Sequence, residues 1–162
     1  MDKGEMKQVA KWDYDVKKFK SIDDVLEFAI GREIDAQSFY MKLSSMVKDA
    51  KLAKTLIKLA AEELDHEAKL KAVLLGKAAI GDQDVGKLDI VDYTKSVKPS
   101  PEMSYVDLLV IGMKKEETSR RLYTDLAAIA TEQKLKDVFL KLAQEEANHK
   151  LRFEFEYDLM AF

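Results

Sequence analysis

Glu62-Glu63-Leu64-Asp65-His66 returns further along the chain as Glu145-Glu146-Ala147-Asn148-His149. Each copy holds a Glu-x-x-His inside a long stretch with helical patterning. Residues three apart share one face of an α-helix, so Glu63 and His66 aim at a common point, and so do Glu146 and His149. His66 and His149 are the only two histidines in the sequence, and both stand in this context. A metal site built in a helix bundle from two such segments needs one further Glu from each of two other helices.

Working outward, the repeat supplies those residues. At a constant offset of 83 (residue 63 to residue 146), Ser21, Asp24, Glu33, Tyr40, Leu59 and Ala60 fall on Ser104, Asp107, Glu116, Tyr123, Leu142 and Ala143. No gap is needed across either helical pair. Glu33 and Glu116 each lie 30 residues before the Glu of their own Glu-x-x-His. The candidate constellation is Glu33, Glu63, His66, Glu116, Glu146 and His149. Tyr40 and Tyr123, two helical turns beyond Glu33 and Glu116, are placed to donate hydrogen bonds to it.

The same pattern sets the fold class, which is all-α. Ser21 followed by Asp24, and Ser104 followed by Asp107, read as helix N-caps. From Ser21 to about Val47 the apolar residues Val25, Leu26, Ala29, Ile30, Phe39, Tyr40 and Leu43 keep helical spacing, and Glu33 falls in their stripe. A break at Lys48-Asp49 precedes a second helix, Lys51 to Leu75, with Gly76 as its C-cap. The third helix runs from Ser104 to about Ala130, and the fourth follows Thr131-Glu132 to about Leu159. No stretch sustains the period-two alternation of a strand. Two repeated hairpins, about 21–76 and 104–159, would each leave an apolar face uncovered and so pair into a four-helix bundle. Between them lies an irregular segment, about 77–103, which with Gly76 at its edge holds three of the six glycines and both prolines. A connection of that length needs a reason, and a crossover from one end of a bundle to the other supplies one. The mixed-charge residues 1–20, with Trp12, Tyr14, Val16 and Phe19, read as an N-terminal arm.

Composition narrows the function. The chain of 162 residues suffices for one domain with a real core. A net charge of -3 gives no case for nucleic acid or an anionic membrane. The absence of cysteine removes disulfides, thiolate-bound zinc, iron–sulfur clusters and thiol catalysis together. Neither a signal peptide nor a membrane span is visible, so the expected location is cytoplasmic. Four carboxylates close together in an apolar bundle repel one another and are poorly solvated, so without metal the site is strained or partly protonated. Two divalent cations balance four carboxylates. Mixed carboxylate and imidazole ligation suits iron or manganese better than magnesium or calcium. Two carboxylates can bridge the ions while the other ligands cap the ends, leaving positions for oxygen or peroxide.

These residues resemble a known family. The segments AIGREIDAQSFY, LAAEELDH, GMKKEETSRRLY and LAQEEANH are similar to those of the ferritin-like di-iron carboxylate proteins, and within them to the rubrerythrins. The resemblance implies a ferritin-like bundle holding two irons, with Glu33 and Glu116 as terminal ligands, Glu63 and Glu146 as bridges, and His66 and His149 each capping one iron. It also implies a di-iron oxidoreductase that reduces hydrogen peroxide or oxygen, with a homodimer as the expected assembly. A ferroxidase or iron-handling role and a di-manganese catalase-type enzyme use similar ligands and stand as alternatives. Two departures from the family pattern matter. Met113 stands where typical rubrerythrins carry an extra carboxylate, one turn before the terminal Glu. The Cys-ligated rubredoxin domain that usually follows the bundle is missing from this sequence, so the expected electron donor is a separate protein such as a rubredoxin.

Overall fold

The computed structural model describes residues 21–76, 88, 99–100 and 102–161. The expected arm, residues 1–20, and most of the expected crossover lie outside the described residues. Within them stand four helices and no strand: α1 (Ile22–Met46), α2 (Ala50–Leu75), α3 (Tyr105–Ile129) and α4 (Gln133–Ala161). The helices begin where local chemistry places an acceptor for their free N–H groups. Ser21 Oγ accepts from the Asp24 amide at 3.2 Å. Asp49 accepts from Lys51 and Leu52 at 2.8 and 3.3 Å. Ser104 and Asp107 bond each other reciprocally, both at 3.2 Å, in a complete capping box. Gly76 closes α2 by donating to the Ala72 and Val73 carbonyls. Its φ of -110° lies outside the left-handed region, so this C-cap does not require glycine's conformational freedom.

Helices α1 and α2 pack along their length, as do α3 and α4, and contacts between the two hairpins are fewer. The apolar interior divides into two clusters. One joins the start of α1 (Val25, Leu26, Ala29), the end of α2 (Leu70), the end of α3 (Leu122, Tyr123, Leu126) and the start of α4 (Phe139, Leu142), with Leu88 added to it. The other joins the end of α1 (Phe39, Tyr40, Leu43), the start of α2 (Leu56, Leu59), the start of α3 (Leu108, Leu109) and Phe153 near the end of α4. This membership gives the helix directions: α1 runs with α4, and both run against α2 and α3. The end of α2 and the start of α3 therefore lie at opposite poles of the bundle, which is why a short turn cannot join the hairpins. Each fully buried Leu in these clusters contributes about 1.5–3 kcal/mol. Between the two clusters, at mid-height, sits a polar layer.

Candidate metal centre

That layer consists of the six residues singled out by the repeat. Glu33 on α1, Glu63 and His66 on α2, Glu116 on α3, and Glu146 and His149 on α4 are all buried, none more than 4% exposed. Burying four carboxylates together is costly unless something positive or a proton satisfies them. Their donor atoms form two overlapping groups, each with its atoms within 4.8 Å of one another: Glu33, Glu63, His66 and Glu146, and Glu63, Glu116, Glu146 and His149. Glu63 and Glu146 belong to both. The remaining four divide into a Glu and a His on each side.

Both imidazoles turn Nδ1 inward and Nε2 outward. His66 Nδ1 lies 2.7 Å from Glu146 Oε1, with which it shares a hydrogen bond, and 3.6 Å from Glu33 and Glu63. His149 Nδ1 lies 2.7 Å from Glu63 Oε1 and 3.8 Å from Glu116 Oε2. The outward nitrogens bond across the hairpin interface, His66 Nε2 to Glu145 and His149 Nε2 to Glu62 at 2.7 Å. A carboxylate on the far nitrogen fixes ring orientation and raises the basicity of the near one. Glu62 and Glu145 thus join the candidate site although they are absent from the sequence-derived set; the paired Glu-Glu in both repeats was a visible signal.

The tyrosines also cross. Tyr40 Oη donates to Glu116 Oε1 at 2.5 Å, and Tyr123 Oη donates to Glu33 Oε1. Each therefore serves the Glu of the other hairpin, not the one two turns away on its own helix. With Oε1 occupied, Glu33 Oε2 and Glu116 Oε2 face the layer without a hydrogen-bond partner. Buried polar atoms without partners are rare, and two carboxylate oxygens converging on one cluster call for a shared electrophile. Carboxylate oxygens and imidazole nitrogens in this mixture fit iron or manganese.

The protonation pattern agrees. Burial, followed by the negative charge of Glu33 and Glu116, holds the Glu63 carboxyl well above its ordinary range. Burial and the charges of Glu116, Glu33 and Glu63 do the same to Glu146. Burial also pushes up Glu116, but the neighbouring Glu146 carboxyl, the His149 ring and the Tyr40 hydroxyl outweigh this and leave it lowered. Burial works against a charged His149, yet the Glu116 and Glu63 carboxylates raise it to about 11. His66 is raised despite burial, by Glu33 and Glu145. Both tyrosines are held well above 10, first by burial and then by the nearby carboxylates, and so stay neutral donors. Without metal the layer keeps itself near neutrality by holding protons, and cations binding there displace them.

Met113 is half-buried and packs against the second apolar cluster. Its thioether adds no carboxylate to the layer.

A bundle of antiparallel hairpins with two carboxylate–histidine groups sharing a pair of glutamates has the architecture of the di-metal carboxylate proteins. The sequence profile of the rubrerythrin family matches residues 24–157, and the chain belongs to that family. No curated protein matches the sequence. Among solved structures the chain is similar to a hypothetical protein from Pyrococcus furiosus, at 27% identity and a TM-score of 0.69, over 90% of this chain and 95% of that one. No helix among the described residues is long and apolar enough to cross a membrane.

Proposed function

We propose that the protein is a di-iron oxidoreductase that reduces hydrogen peroxide or oxygen with electrons from a separate donor protein. The observation that carries this reading is the sharing of Glu63 and Glu146 by two donor groups that are otherwise distinct. Glu33 and His66 would hold one iron, Glu116 and His149 the other, and Glu63 and Glu146 would bridge them. A bound iron pair supplies two electrons to the oxidant and is recharged by the donor. The protein's part is to orient and to exclude. Tyr40 and Tyr123 each occupy one oxygen of a terminal Glu and leave the other directed inward. Glu62 and Glu145 hold the imidazoles so that Nδ1 faces the layer. The apolar clusters above and below keep bulk water out, which strengthens every charge interaction between them.

Metal analysis and turnover test the reading together. Protein purified without chelator should carry about two irons per chain, the ratio expected for six such ligands. Addition of peroxide should then drive oxidation of a reduced rubredoxin-type donor. Two irons without donor oxidation would overturn the peroxide-reducing role. Two manganese ions in their place would move the assignment to a catalase-type enzyme.

A further inference from the structure

The turn between α1 and α2 and the turn between α3 and α4 are equivalent under the repeat, but their charges are not. Residues 42–58 carry five lysines, Lys42, Lys48, Lys51, Lys54 and Lys58, against one acid, Asp49. Residues 125–141, the same stretch of the second hairpin, carry three lysines against Asp125, Glu132 and Asp137. All five lysines of the first stretch are exposed, and none has an ion-pair partner among the described residues. Lys51, Lys54 and Lys58 lie three and four residues apart on one outer face of α2, with Lys48 in the turn before them.

This arrangement works against the helix. The start of α2 is the positive end of its dipole, its first turn holds no acid, and only the Asp49 cap offsets the charge. Lysines three and four apart on one face also repel each other. A local preference broken with no gain in packing points to function. The whole chain stands at -3, so an anionic partner is drawn to this face and not to the molecule at large.

A second observation says what the face serves. It continues along α2 from Lys51 through Thr55 and Lys58 to Glu62, at spacings of four, three and four residues. The Glu62 side chain is 41% exposed, yet its Oε2 bonds His149 Nε2 at 2.7 Å. Glu62 thus links open surface to an imidazole of the buried layer, one helical turn beyond Lys58. Glu145 makes the equivalent link to His66. There, however, Asp137 stands in the place of Lys54, and Lys141 is answered by the charge of Asp65, whose own counterpart is the neutral Asn148.

We propose that Lys48, Lys51, Lys54 and Lys58 form the docking surface for an acidic electron-donor protein, which is thereby seated beside Glu62 and not beside the equivalent Glu145. This rests on the oxidoreductase reading above, in which the donor is oxidised and the bound irons are reduced. Exposed charges suit such a partner, because they speed its arrival without holding it after the electron has passed.

Calorimetric titration of the protein as purified with an oxidised, acidic rubredoxin tests the face without turnover. Wild-type binding should weaken as ionic strength rises to about 0.15 M and beyond. Lys51→Glu, Lys54→Glu and Lys58→Glu together should weaken it about tenfold or more, through three lost surface pairs. Lys134→Glu, Lys136→Glu and Lys141→Glu change the net charge equally on the second hairpin and should stay within about threefold of wild type. Amide chemical shifts of the wild type map the contact without any variant and should change chiefly within residues 48–62. Equal weakening by the two triple variants, shifts centred on residues 131–145, or no salt-sensitive binding would overturn the docking surface. So would a single-stranded oligonucleotide that binds the lysine face as tightly as rubredoxin does, since the face would then read only negative charge. Purified protein without metal would overturn the oxidoreductase reading whatever rubredoxin does, so the two failures are distinguishable.

Discussion

At one pole of the bundle Tyr123 sits with Ala29 and Leu70; at the other Tyr40 lies against Phe153, over Gly112. The polar layer between the poles is nearly two-fold symmetric, since every ligand and each tyrosine has a counterpart in the other hairpin. The difference shows which kind of interaction tolerates drift. A ligand cannot change type without losing a charge or a lone pair at a fixed place. An apolar pair can trade a methyl group on one helix for a larger ring on its neighbour, as long as the space is filled in low-energy rotamers. Repetition of the hairpin therefore preserved the layer and released the packing around it.

The largest expected effect separates shared ligands from unshared ones. Glu63→Ala removes an oxygen that both donor groups use, so bound iron should fall well below one per chain, whereas Glu33→Ala should leave about one. Metal analysis of the two variants side by side reads this directly, and equal loss in both would mean that the glutamates are not divided as the geometry divides them.

Removing the metal should expose the protonation of the layer. Glu63 and Glu146 have raised folded values and His149 is raised to about 11. A group whose folded value is raised stabilises the fold below its unfolded value and loses that contribution as pH climbs through the folded one. For the carboxyls this loss begins above 4.5. For His149 it runs from 6.5 to about 11. Glu116, lowered, works the other way, but only on the acid side of 4.5. The melting temperature of the metal-free protein should therefore fall steadily from about pH 5 to about pH 9. The loaded protein should not follow it, because metal has displaced the protons. Thermal melts of both forms across this range check the sign, and parallel curves would break the account.

Smaller effects sharpen the contrast between poles. Gly112→Ala, which drives a Cβ into the Phe153 ring, should cost about 1–3 kcal/mol by overpacking. The reverse change at the equivalent position, Ala29→Gly, should cost about 1 kcal/mol from helix propensity and a lost methyl. Chemical denaturation of the two variants gives both numbers. Smallest of all, Ser104→Ala breaks a reciprocal capping box and should cost about 1 kcal/mol, whereas Ser21→Ala removes one described cap bond and should cost no more than that.

Much of this was legible in the sequence because the repeat is ungapped. Glu33 and Glu116 stand out only when the two halves are aligned, and all six residues of the layer then follow. The helix ends were readable wherever a side chain performs the capping, as at Ser21 and Ser104. What could not be read was the pairing across the interface. An alignment of two halves says which residues are equivalent, not which half each one faces, so the sequence placed Tyr40 near the constellation without showing that it bonds Glu116 of the other hairpin. The same blindness hid Glu62 and Glu145, which repeat as faithfully as the ligands but act on the opposite histidine. Phe153 over Gly112 was hidden for another reason: it is a break in the repeat, and only three-dimensional packing shows that two mismatches compensate each other.

The crossed bonds carry one more consequence. Tyr40 to Glu116, Tyr123 to Glu33, His66 to Glu145 and His149 to Glu62 each join one hairpin to the other. A lone hairpin would hold a Glu and a Glu-x-x-His, yet have neither the tyrosine that aims the first nor the carboxylate that turns the second. Metal capture is thereby a logical conjunction, true only when both halves are folded and docked. On the di-iron reading proposed above, a nascent chain with its second half still unmade would offer iron no finished place to bind.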